Sequence, residues 1–148
     1  MHIRQQIRNA MGNALVTIPE FNGRVYMSRV YPFSTESLPG VNISFVSEIT
    51  SEDGPAAIQG GREMFRVATM SVTINCLGQD SFDEFDDLSA KVEKALYSSD
   101  ELPCIVKDWV LVNTEIEVLP EAEDPVTLGE MQWEFLYANL DKDPEKAR

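Results

Sequence analysis

Two stretches in the C-terminal third constrain the fold more than anything else in the chain. In 109–119, Val110, Val112, Thr114, Ile116 and Val118 are predicted to point one way and Asn113, Glu115 and Glu117 the other. In 126–137, Met131, Trp133, Phe135 and Tyr137 alternate with Glu130, Gln132 and Glu134. A period of two with one apolar and one acidic side describes paired strands, covered on one face and wet on the other. The acidic connection at 120–125 turns one strand into the next. A sheet of this kind needs helices on its dry face only.

Two helices are available. In 2–16, Ile3, Ile7, Ala10, Met11, Ala14 and Leu15 recur at helical spacing. Arg4 and Arg8 form an i,i+4 pair of like charge on this helix, a small cost that an acidic partner relieves. In the second helix, Ser81 and Glu84 have the spacing of a capping box, and Asp83, Glu84, Asp86 and Asp87 suit a positive helix N-terminus. Phe82, Phe85, Leu88, Val92, Ala95 and Leu96 form its apolar stripe.

Three further strands are predicted at 24–31, 41–47 and 64–77. In the first, Val25, Met27 and Arg29 share a face. In the second, Val41, Ile43, Phe45 and Ser47 do. The third places Met64, Ala68, Met70, Val72, Ile74 and Cys76 on one face together with Arg66, and its other face opens with Phe65 and Val67. Apolar residues on both faces predict a central strand. Residues 48–63 show no period and contain three glycines and a proline, which predicts a long loop between two strands. Such a loop is either an assembly arm or idle chain. The expected fold is α+β in the order α-β-β-β-α-β-β: an antiparallel sheet with two helices packed on one face. One domain is expected over 1–140, followed by a flexible tail at 141–148.

Charge is distributed unevenly. The net charge is −13 over 148 residues, yet residues 1–35 hold four arginines (Arg4, Arg8, Arg24, Arg29) against the single acid Glu20. The acids serve solubility, or the basic end of one copy attracts the acidic body of another. No basic stripe is present to neutralise phosphates, which disfavours ordinary duplex binding. There is no apolar run of membrane-spanning length, and the N-terminal residues lack a signal peptide's apolar core. The expected setting is therefore a reducing, cytosolic one, with Cys76 and Cys104 unpaired.

No catalytic device is expected. The sole histidine, His2, lies beside a start expected to be mobile, and no phosphate-binding glycine motif occurs. Asp80, Asp83, Glu84, Asp86 and Asp87 lack the spacing of a calcium loop, and helix N-terminal acids account for them. Cys76 and Cys104 do not make a zinc pair. No cofactor and no metal are expected.

The order of the pieces resembles the tail terminator (minor tail) proteins of long-tailed bacteriophages. The residues that carry the likeness are the first helix (HIRQQIRNAMGNAL), Arg29-Val30-Tyr31-Pro32, Leu38-Pro39, the long loop, the run from Asp87 to Glu93 (DLSAKVE), and the closing hairpin with Thr114-Glu115-Ile116-Glu117. The likeness spans nearly the whole chain and brings no catalytic residues. It implies a virion protein of the tail-neck region, assembled in the host cytoplasm. It implies a hexameric ring of identical subunits that ends the tail tube, meets the head-tail connector or stopper protein, and lets genomic DNA pass without specific binding. On that reading Glu115, Glu117, Glu130 and Glu134 are candidates for the channel lining, although the same face suits the outside. Arg4, Arg8, Glu52, Asp53, Gln59 and Arg62 are candidates for subunit contacts. The alternatives are an acidic inhibitor that mimics DNA, another ring component of the phage neck, and a small carboxylate or metal enzyme.

Overall fold

The computed structural model describes residues 1–27, 38–53, 61–78, 80–119 and 126–148. Among these, helix α1 (Ile3–Leu15) is followed by a 3-10 turn (Pro19–Phe21), strands β1 (Val25–Met27), β2 (Gly40–Asp53) and β3 (Glu63–Leu77), helix α2 (Ser81–Tyr97), a second 3-10 turn (Leu102–Cys104), and strands β4 (Asp108–Leu119) and β5 (Val126–Leu140). The described strands form one sheet in the order β1-β2-β3-β5-β4. The α-β-β-β-α-β-β order and the packing of both helices on one face are as expected.

The sheet is mixed rather than wholly antiparallel. β1 runs parallel to β2, with Val25 opposite Val41 and Met27 opposite Ile43. About a dozen residues separate the two strands, the length a parallel crossover needs and a tight hairpin does not. The remainder of the strand expected at 24–31 lies outside the described residues.

β3 is the centre of the sheet, paired along its length with β2 and with β5. α1 lies over β1 and β2, and α2 over β3 and β5. Between them sits a core of Ile3, Ile7, Met11 and Leu15 from α1, Phe85, Leu88, Val92 and Leu96 from α2, and Met70, Val72, Ile74, Met131, Trp133 and Phe135 from the sheet. α2 approaches β5 closely at Gly129, where any Cβ would overlap the Phe85 ring.

Three local features depart from expectation. The segment 48–63 is not all loop: Glu48 to Asp53 pair with Ala68 to Glu63 and extend β2 by six residues. The capping box does not form. The α2 N-cap is Asp80, whose side chain makes no capping bond, and the buried Ser81 hydroxyl bonds Thr127 Oγ1 at 2.5 Å. Residues 141–148 fold back onto the body. Pro144 O accepts from Ile3 N at 3.1 Å, Arg148 N donates to Ala138 O at 2.9 Å, and Glu145 meets the Met1 ammonium at 2.6 Å.

Candidate functional site: the uncovered sheet face and the charges around it

Because both helices cover the same side, the other side of the sheet lies open. Residues facing it from β3 and β5 pair as Thr69 with Glu134, Ser71 with Gln132 and Thr73 with Glu130. β4 adds Glu115 directly opposite Glu130 and Glu117 opposite Leu128. The four glutamates Glu115, Glu117, Glu130 and Glu134 thus share one surface. Along the described strands no lysine or arginine occupies an outward position on it. Ser71 Oγ and Gln132 Nε2 both donate to Glu130 Oε1, at 3.0 and 3.2 Å, which fixes that carboxylate in place. Glu115 and Glu130 repel across the strand pair, a cost on the order of 0.2–1 kcal/mol.

A bulge changes which β4 residues lie where. The register slips between Leu111 and Asn113, so Val112 is the extra residue. Val110, expected beside Thr114 and Ile116, instead lies opposite Glu134 on the open face. Trp109 and Leu111 turn to the core side, where Trp109 Nε1 donates to Leu96 O at 3.1 Å and Leu111 N to the Tyr97 hydroxyl at 3.1 Å. Beyond the bulge, Thr114, Ile116 and Val118 keep the helix-side orientation expected of them, yet all three are exposed.

Two of the arginines meet at one carboxylate of β2. A second bulge, between Phe45 and Ser47, turns Glu48 to the helix side, opposite Ala68 and one residue pair from Arg66. Glu48 Oε2 lies 3.2 Å from Arg66 Nη1 and 3.3 Å from Arg4 Nη1, and its Oε1 accepts from the Tyr137 hydroxyl. Arg4 also lies over the Phe45 ring, 5.1 Å from its centroid. One carboxylate thus holds two guanidinium groups, and the trio keeps a net positive charge. Burial, reinforced by the Glu48 hydrogen bond, pushes the Tyr137 hydroxyl above its ordinary pKa. Arg66, the odd charge on an apolar strand face, is explained by this group.

Of the other expected interface residues, Glu52, Asp53 and Arg62 lie at the same end of the β2–β3 pair and Arg8 lies on α1. Arg8 is half-buried on α1, and no described residue forms an ion pair with it. Glu52 and Asp53 end β2, paired through the backbone with Met64 and Glu63. Arg62 precedes β3, and its carbonyl accepts from Asp141 N at 2.8 Å. Gln59 lies outside the described residues.

His2 is not at a mobile end. Its Nδ1 accepts from Arg4 N at 3.1 Å as the α1 N-cap, and burial together with the Arg4 charge holds its pKa below the ordinary value. The Asp80, Asp83, Glu84 and Asp87 side chains line a shallow cleft of about 330 Å³ with Glu20 and Lys91, and the Lys91 ammonium closes onto Glu20. Cys76 is buried, with its thiol pushed up to about 12 by desolvation, and Cys104 is exposed. No described helix is long and apolar enough to cross a membrane.

No family model matches the chain, and no curated protein matches it. Among solved structures, a chain from the virion of a native gene transfer agent particle is similar at 17% identity and a TM-score of 0.43, covering 91% of this chain and 92% of that one. At that level of similarity the functional reading rests on the chain's own residues.

Proposed function

We propose that this protein is a structural component of a phage-like virion that acts by shape and surface potential. Copies of it form a ring, hexameric in the family it resembles, that ends a tail tube, meets the connector or stopper protein and leaves a passage for DNA. The observation that carries the reading is the open face of the sheet. It is broad, rigidly backed by two helices and acidic at Glu115, Glu117, Glu130 and Glu134, with no cation among its described strand positions. Turned toward a channel, such a face repels the DNA backbone and lets it slide. The order of sequence motifs shared with tail terminators supports the same reading.

The mass of the purified protein, alone and mixed with tail tube protein, tests this. A closed oligomer under either condition is expected, together with no retention of duplex DNA at physiological salt. A strict monomer under both conditions refutes the ring. A monomer that displaces DNA from a nuclease or regulator supports the DNA-mimic alternative instead.

A further inference from the structure

On the premise that the ring reading holds, we infer that neighbouring copies join head to tail through two different patches at opposite edges of the sheet: the second half of β4 with Phe82 on one copy, and the α1–β1 groove on the next. The strand order places β4 and β1 at the two edges. Each edge exposes apolar side chains among the described residues.

At the β4 edge these are Val112, Ile116 and Val118. α2 sits over the neighbouring β5, with Ser81 on Thr127 and Phe85 on Gly129, the residues that pair with Val118 and Ile116. Phe82 is half exposed on the flank of α2 toward β4. It lies nine residues, two and a half helical turns, from Lys91, whose ammonium marks the opposite flank by reaching Glu20. At the other edge, Gly12, Val16, Val25 and Met27 line a groove of about 360 Å³, with Val16 and Met27 exposed. The missing side chain at Gly12 is what lets Met27 lie against α1.

The charges around the two patches are opposite. Glu115 and Glu117 lie on the same edge strand, pointing to its open face, and Asp86 lies one helical turn from Phe82. At the groove, Arg8 lies one helical turn before Gly12 and Arg24 immediately precedes β1, against the single carboxylate of Glu101, which accepts from the groove residue Asn13 at 3.1 Å. Two β4 edges brought together repel, and the bulge at Val112 further discourages strand-to-strand pairing of like edges. An acidic edge against a basic one is attractive and fixes direction. A contact between unlike patches of identical chains is the kind that closes into a ring. It also leaves the acidic face free to look toward the axis.

The test uses two full-length variants, Val118→Arg to spoil the β4 patch and Val16→Glu to spoil the groove. Each position is exposed, so the circular dichroism spectrum should match the parent. Each variant alone should lose self-association at least tenfold. An equimolar mixture should recover it as complexes containing both chains, since each variant keeps the patch the other lacks. If both variants assemble like the parent, or the mixture stays monomeric, the assignment of these patches is overturned while the ring stands. If the parent itself is monomeric alone and with tube protein, the ring fails first, which is a separate outcome. Should Val16→Glu disturb folding, Arg8→Glu takes its place with the same expectation.

Discussion

Replacing Glu48 by glutamine probes a charge group held between α1 and the sheet. Glu48 is 7% exposed, and its two cations Arg66 and Arg4 are 16% and 36% exposed. Removing one member of a buried pair costs about 3–5 kcal/mol, because the remaining charge loses its compensation. The Arg66 contact is near that regime. The Arg4 contact is over a third exposed, so water screens it and it contributes only on the order of 0.2–1 kcal/mol. Glutamine keeps an acceptor for the Tyr137 hydroxyl, so the loss is mainly one of charge. The expected destabilisation is about 2–3 kcal/mol, or a fall in Tm of roughly 5–10 °C for a chain of this size. Urea and thermal melts of the parent, E48Q, R66Q and the double variant measure it. The two changes should be less than additive, with a coupling of about 1–2 kcal/mol. An E48Q protein within about 0.5 kcal/mol of the parent refutes the reasoning.

Two further expectations follow from the core. Tyr137 ionises later in the folded chain than in the unfolded one, so the unfolded state releases its proton first as pH rises. Stability from this group is complete below about pH 10 and is lost above it. In an ultraviolet titration, one of the four tyrosines should stay protonated until the protein unfolds, and a full tyrosine titration with native circular dichroism contradicts this. Gly129→Ala should cost about 1–3 kcal/mol by overpacking against Phe85. Adding Phe85→Leu should relieve part of that cost, and a G129A protein as stable as the parent would place the α2–β5 approach wrongly.

Most of the architecture was legible because it rests on periodicity. The stripe Phe85, Leu88, Val92 and Leu96 and the row Met131, Trp133, Phe135 and Tyr137 face the core as their spacing implies. The two bulges were not legible, since a single extra residue at Val46 or Val112 shifts the phase of a strand without altering its composition. That shift hid the role of Glu48 and moved Val110 to the open face. The end of β2 escapes a periodicity argument for a related reason. Glu48 and Thr50 lie on the helix side there, Thr50 exposed, and the match of Glu48 to Arg66 is made by charge, so no apolar alternation marks the strand. Gathering Glu115, Glu117, Glu130 and Glu134 onto one surface needed only the hairpin. Bringing Arg4 to Glu48 needed a tertiary contact between residues 44 apart in sequence.

The central claim is that this chain works as a ring around a passage. Electron micrographs of the purified protein, alone and on tail tubes, test it most directly. The expected image is a closed ring with a central hole on the order of 20–40 Å, to admit a duplex whose major groove alone spans ~12 Å, with the glutamate-bearing sheet face toward the hole. Isolated particles of monomer size in both samples, or a ring whose hole is lined by the helices, would contradict it.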